Sequence, residues 1–398
     1  MRDPAKLRSR HTEGFVRHRS TWATYGLLGY FAYLETVLGP LMPFLRSERG
    51  YSYTIASLHF SAFAFGGVLV GVFGDRVVAR RGRWVALWGG GAGMALGVLL
   101  VALIPMAAGT ITGALVMGSC GSLLLITTQA VLADRHGEWA AVAITESNVA
   151  ASACAILASL AVGIFAAVGL GWRLSLVLPV VALALLGARF GRESLTLTSR
   201  FVSPDDGTSG ALPVTFWIYW SVLFLGVSVE WCMAYWGADF LDAALGLNRS
   251  DAASALSLFF VGMLVGRIQG SRLARALKTD TLLLVTLCVA LAAFPVFWLS
   301  HAPLLALMGL FVVGLGVGSV YPLTISVGVA AAPRTNTATA RLALAGGGAI
   351  LVAPFVLGAY ADRLGIQSAF GLVVPLLLGA IALSLFASRL GESESPAR

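Results

Sequence analysis

The sequence predicts an all-α membrane protein: twelve transmembrane helices arranged as two pseudo-symmetric six-helix bundles. Three observations carry this. Hydrophobic residues make up 58% of the chain, charged residues only 12%, and the mean hydropathy is +0.85; a soluble chain carries about 25% charged residues. Apolar runs of about 20 residues, the length needed to cross ~30 Å of hydrocarbon, recur twelve times. Finally, residues 22–145 align with 217–340 at a fixed offset of 195, so that Trp22 and Glu35 meet Trp217 and Glu230, and Gly67, Gly71 and Arg80 meet Gly262, Gly266 and Arg275. Duplicated membrane segments commonly place a site at mid-bilayer between two similar halves.

Residues 1–21 form a basic tail with Arg2, Lys6, Arg8, Arg10, Arg17 and Arg19, suited to anionic headgroups. No small-residue cleavage site follows it, so the first apolar run is expected to be retained as a span. The N-terminal bundle, 22–190, holds spans at about 22–45, 54–74, 84–104, 110–133, 141–170 and 174–190. A polar segment, 191–213, is the expected central loop. The C-terminal bundle, 214–388, holds spans at about 214–236, 252–271, 281–299, 303–328, 337–361 and 369–388, and 389–398 is a short tail.

An even number of spans puts both termini on one side. Arg46, Arg49, Arg173, Arg249 and Arg363 fall on the other side, Arg267 and Arg341 fall within spans, and the remaining 20 of the 27 Lys and Arg residues share the side of the termini. By the positive-inside rule that side is the cytoplasm. The expected location is the cell (inner) plasma membrane, multi-pass, with both termini cytoplasmic. The net charge of +8 is thereby explained without nucleic acid. The cysteines, Cys120, Cys154, Cys232 and Cys288, lie in apolar segments without metal-ligand spacing. No metal or cofactor is expected. No Gly-x4-Gly-Lys-Ser/Thr run occurs, which argues against an ATP-driven pump. The glycine pairs Gly67/Gly71, Gly93/Gly97, Gly262/Gly266 and Gly314/Gly318, each four residues apart, read as close helix packing.

The segment Gly71-Val-Phe-Gly-Asp75-Arg76, followed by Arg80, Arg81 and Arg83, resembles the signature between spans two and three of the major facilitator superfamily, G-x-x-x-D-R-x-G-R-R. It departs at Val78, where that family has a glycine; Gly82 follows four residues later. With twelve spans, a 6+6 duplication and a polar central loop, the resemblance covers essentially the whole chain. It implies a secondary active transporter working by alternating access, with spans one and seven lining a central cavity, span two packed on span eleven and span five on span eight. The Gly-Pro pair that many drug/proton antiporters carry in span five is absent, as is an early Arg in span four.

Ionisable side chains are costly in mid-membrane, about 2.5–3.5 kcal/mol even on insertion scales, so each calls for a function. Glu35 and Glu230 stand at matching depth in spans one and seven and are the candidates for substrate or proton engagement. Tyr30, Trp231 and Tyr235 lie within about a turn of them; aromatic faces beside a carboxylate suit organic cations and also stack on sugars. Gln129 and Asn148 are further polar candidates within spans. At the offset of 195, Glu146 in span five meets Arg341 in span eleven. With Gly71, Asp75, Arg76 and Arg267 these form a candidate gating set: the implied packing would pair Asp75 with Arg341 and Glu146 with Arg267 as cytoplasmic latches. His59 reads as an interfacial hydrogen-bonder, and Asp239 and Asp242 as solvated.

The resulting expectation is a proton-coupled transporter of a small organic solute, favouring export and acting as a monomer in the lipid bilayer. The alternatives are proton-coupled uptake of a sugar or metabolite, and a transport-inactive sensor or receptor on the same fold. An enzyme is not expected, since no clustered catalytic residues occur.

Overall fold

The computed structural model describes residues 15–193, 212–332 and 335–393, and every regular element among them is helical. The expectations for residues 1–14, most of the central loop and the end of the C-terminal tail lie outside the described residues. The first half comprises α1 (Arg19–Arg49), α2 (Tyr53–Leu103), α3 (Ala107–His136), α4 (Ala140–Ala167) and α5 (Leu174–Phe190). The second comprises α6 (Val214–Leu245), α7 (Arg249–Ala255), α8 (Ser257–Leu273), α9 (Thr279–Leu299), α10 (Pro303–Val317), α11 (Val320–Ala330), α12 (Thr335–Leu364), α13 (Ile366–Phe370) and α14 (Val373–Ser393).

Among the described residues, nine helical stretches are long and apolar enough to cross a bilayer, and Leu174–Phe190 is a shorter apolar helix. Two of the nine, of 51 and 61 residues, would be roughly 75 and 90 Å long if straight, far beyond one crossing. Each instead turns back on itself. α2 breaks at Gly82, whose φ of 80° and ψ of 164° interrupt the helix, and α3 passes into α4 through a 3-10 turn at Gly137–Trp139. The arrangement accommodates the twelve expected spans. Gly82 also explains the departure at Val78. The helix of span two runs about one turn further, and the glycine sits where positive φ requires it.

The duplication is visible in the caps. α1 and α6 begin at Arg19 and Val214, at the offset of 195. Both end on a left-handed glycine, Gly50 (φ 65°) and Gly246 (φ 67°). The next helices start on side-chain caps, Ser52 accepting from the Ile55 amide and Asn248 from the Asp251 amide.

The halves meet along α1 against α6, α2 against α12, and α4 against α7 and α8; the resemblance implied the second and third of these pairings. Close glycine crossings pack the helices within a half. A Cβ on Gly266 would come within 2.2 Å of the Leu315 carbonyl oxygen, and one on Gly314 within 2.2 Å of the Phe259 carbonyl oxygen. Gly71 is different, for nothing lies within 4 Å of the place its Cβ would take. His59 is fully buried, with Nε2 2.8 Å from Thr110 Oγ1, so it ties α2 to α3. The two ends of the bundle differ in charge: a basic end carries Arg80, Arg81, Arg135, Arg192, Arg272 and Lys278, and the far end carries the turns at Gly50, Gly169 and Gly246.

Candidate functional site

A cavity of about 180 Å³ lies between the halves. Its α1 wall is Leu28, Phe31, Ala32, Glu35 and Thr36, a spacing that presents one face of a helix. α4 contributes Asn148, Ala151, Ser152 and Ala155, α6 contributes Glu230, Trp231 and Ala234, and α8 contributes Phe260, Met263 and Arg267; Leu125 of α3 completes it. The duplicated acids therefore face one space from opposite halves.

Arg267 organises that space. Its Nη2 lies 3.6 Å from Glu230 Oε1, its Nη1 donates to Ser152 Oγ at 3.2 Å, and its Nε donates to the Gly318 carbonyl at 3.1 Å. One guanidinium thus neutralises an acid of its own half and reaches a hydroxyl of the other. A second cavity of about 380 Å³ shares Asn148, Ser152 and Arg267 and extends past Thr145, Ile268 and Ser271 towards the basic end.

The far end is closed by contacts between halves. Phe60 stacks on Tyr235 with centroids 4.1 Å apart and planes 5° from parallel. Ser61 Oγ donates to the Leu351 carbonyl at 2.8 Å. Arg46 pairs with Asp239, and its guanidinium lies over the Tyr53 ring, 3.3 Å from the centroid. The Asp362 carboxylate of α12 accepts from the Tyr53 and Thr54 amides, at 2.7 and 2.8 Å, and so caps the first turn of α2. At the basic end, by contrast, Phe73 and Asp75 on α2 and Arg341 and Leu344 on α12 are all exposed.

The sequence-derived candidates divide accordingly. Glu35, Glu230, Trp231, Asn148 and Arg267 meet at the cavity. Three do not line it. Tyr30 is about 140° around α1 from Glu35 and donates its hydroxyl to the Gly91 carbonyl at 2.8 Å. Tyr235 is fully buried against Phe60. Gln129 is exposed a turn closer to the basic end than Leu125. Of the gating set, Arg76 is exposed beside Asp75, and the Arg341 guanidinium stands over the Trp217 ring, 5.5 Å from the centroid. Glu146 accepts from Arg17 Nη2 and Nε at 2.5 and 2.8 Å and from the Tyr25 hydroxyl at 3.0 Å. Asp239 is a correction: it is buried, 3% exposed, against Arg46 and not solvated. Ser152, Arg46 and Asp362 were missed. A serine in an apolar span and charges just past a span's end carry no local mark of what they face.

The sequence profile of the Major Facilitator Superfamily matches residues 21–341. The chain belongs to the major facilitator superfamily. It is a multi-pass membrane transporter and not an enzyme. An uncharacterized MFS-type transporter of Yersinia pestis is 24% identical to this superfamily member over 359 residues, covering 86% of this chain and 89% of that one. Among solved structures, a bacterial homolog of the human lysosomal transporter Spinster, inward-facing and occupied, superimposes with a TM-score of 0.73 at 16% identity, covering 96% of this chain and all of that one. A D-xylose–proton symporter superimposes with a TM-score of 0.71 at 12% identity, covering 93% and 96%. At such identities these likenesses concern the superfamily fold alone.

Proposed function

We propose that this protein is a proton-coupled secondary active transporter of the inner plasma membrane, with cytoplasmic termini, moving a small organic solute by alternating access as a monomer. The observation that carries this reading is the cavity between the halves, holding Glu35, Glu230 and Arg267, sealed at the far end and flanked by exposed α2 and α12 surfaces at the basic end. With the positive-inside orientation, that is an inward-facing state. A carboxylate in such a cavity is reachable from one side at a time and can carry a proton between them. In the opposite state, Asp75 would pair with Arg341 and Glu146 with Arg267; Glu146 would first have to leave Arg17, and Arg267 to leave Glu230.

Export is favoured over sugar or metabolite uptake by the lining. The neutral polar side chains on the cavity are Thr36, Asn148 and Ser152, beside Phe31, Trp231 and Phe260. A polyhydroxylated solute needs a denser array of hydrogen-bonding partners. The D-xylose–proton symporter and the occupied Spinster homolog support alternating access on this fold and not a particular cargo.

The test is a distance measurement between spin labels at Phe73 and Leu344, on the two halves at the basic end, in lipid at mildly acid and mildly alkaline pH. Two distance populations whose ratio shifts with pH, and stops shifting in Glu35→Gln or Glu230→Gln, are expected. A single distance under all conditions would sink alternating access, and a pH response intact in both variants would sink the carboxylates as proton carriers.

A further inference from the structure

We infer that the central cavity takes a small organic monocation, an amine on an aromatic or apolar body, with Glu35 as its counter-ion. This rests on the transporter reading above and goes beyond it by naming the charge and shape of the cargo. The argument starts from the charges that share the space. Three ionisable side chains line it: Glu35, Glu230 and Arg267. Arg267 is committed, its three nitrogens directed to Glu230, Ser152 and the Gly318 carbonyl. Glu230 is therefore neutralised within its own half. Glu35 faces the same space from α1 and, among the described residues, has neither a hydrogen bond nor an ion pair. With its acids ionised the cavity holds one net negative charge, located at Glu35.

That balance selects the ligand class. An anion would enter beside two carboxylates and would have to take Arg267 from Glu230, leaving a buried acid uncompensated. A neutral solute leaves Glu35 to a proton and draws no affinity from its charge. A dication would find one free acid. A monocation satisfies Glu35 and leaves the Arg267–Glu230–Ser152 arrangement intact. The rest of the wall fits its body: Phe31, Trp231 and Phe260 line it with aromatic rings, which suit a cation and its apolar flank, and Met263 adds a polarizable thioether. The volume, about 180 Å³, corresponds to roughly six waters at ~30 Å³ each, room for one fused pair of rings with a short amine arm. A proton and the cation would share Glu35 as a binding place, so that one is released as the other binds.

Three indole compounds of nearly equal size test the assignment on the purified full-length protein: tryptamine (cation), tryptophol (neutral) and indole-3-acetate (anion). Binding is read by equilibrium dialysis and by thermal unfolding. Tryptamine is expected to bind at least tenfold more tightly than either isostere; Glu35→Gln should remove that preference and Glu35→Asp should keep it. Unfolding of each variant alone shows whether it is folded, and the aspartate variant retains the test if the glutamine variant is not. Equal binding of the neutral or anionic isostere, unchanged tryptamine binding in Glu35→Gln, or no binding of any of the three overturns the cation assignment. The spin-label distances separate the two readings: labels that still exchange with pH while tryptamine fails to bind reject the cation alone, whereas labels that never exchange reject the transport cycle.

Discussion

The Asp362 cap is the inter-half contact most directly open to test. Asp362 stands on α12 in the second half, yet its carboxylate accepts two amides at the start of α2 in the first half, at 2.7 and 2.8 Å. Each hydrogen bond to a charged acceptor is worth about 1.5–3 kcal/mol when sheltered, and a carboxylate at a helix N-terminus adds about 0.3–1 kcal/mol. Asp362 is solvent-exposed, so water replaces much of this when the halves part, and an asparagine side chain in its place would keep one acceptor oxygen. The net loss for Asp362→Asn is then about 1–2 kcal/mol, or a 5- to 30-fold shift in population towards a state open at the far end. The assay places a cysteine at Thr36, on the cavity wall, in a chain whose four native cysteines are serine. Its rate of reaction with an impermeant maleimide is then measured from the far side of the membrane. Asp362→Asn should raise that rate 5- to 30-fold. Asn248→Ala supplies the control: Asn248 caps α7 within its own half, accepting from Asp251 N at 2.9 Å, so its loss should lower stability by ~1 kcal/mol without raising the rate. An unchanged rate in Asp362→Asn, or an equal rise in Asn248→Ala, would refute a gating role for the cap.

Three further outcomes rest on the same geometry. Exchanging Asp75 and Arg341 should restore part of the pH-dependent spin-label response that Asp75→Arg or Arg341→Asp alone removes; a double variant no better than either single one rejects the latch. Asp239→Asn leaves Arg46 beside an uncharged group at a buried pair, so a loss of up to about 3–5 kcal/mol is expected in thermal unfolding, and Arg46→Gln in addition should recover part of it. Gly266→Ala presses a methyl on the Leu315 carbonyl and should cost about 1–3 kcal/mol, whereas Gly347→Ala, with nothing within 4 Å, should be neutral in the same melts.

Much of the architecture was legible because its determinants are local or periodic. Span length is set by bilayer thickness, and the duplication by Trp22–Glu35 recurring as Trp217–Glu230. The displaced motif glycine, Gly82, was visible as a departure, but its consequence, a later turn, needed its backbone angles. Within the site, Glu35, Glu230, Trp231 and Asn148 were legible as polar or aromatic residues in apolar helices. Tyr30 and Tyr235 were drawn in by proximity along the chain, yet a helix turns about 100° per residue, and five residues from an acid is nearly the opposite face.

Composition and the repeat thus suffice for a two-bundle membrane protein with an acid at matching places in each half, since hydrophobic length and sequence offset do not depend on how the bundle closes. Which charges meet is a different matter. Arg267 reaches Glu230, Ser152 and Gly318, Glu146 is taken by Arg17, and Asp362 caps a helix that begins 309 residues earlier in the chain. A salt bridge forms within about 4 Å, and that distance depends on the rotation, depth and tilt of two helices at once, which only packing of the whole bundle decides.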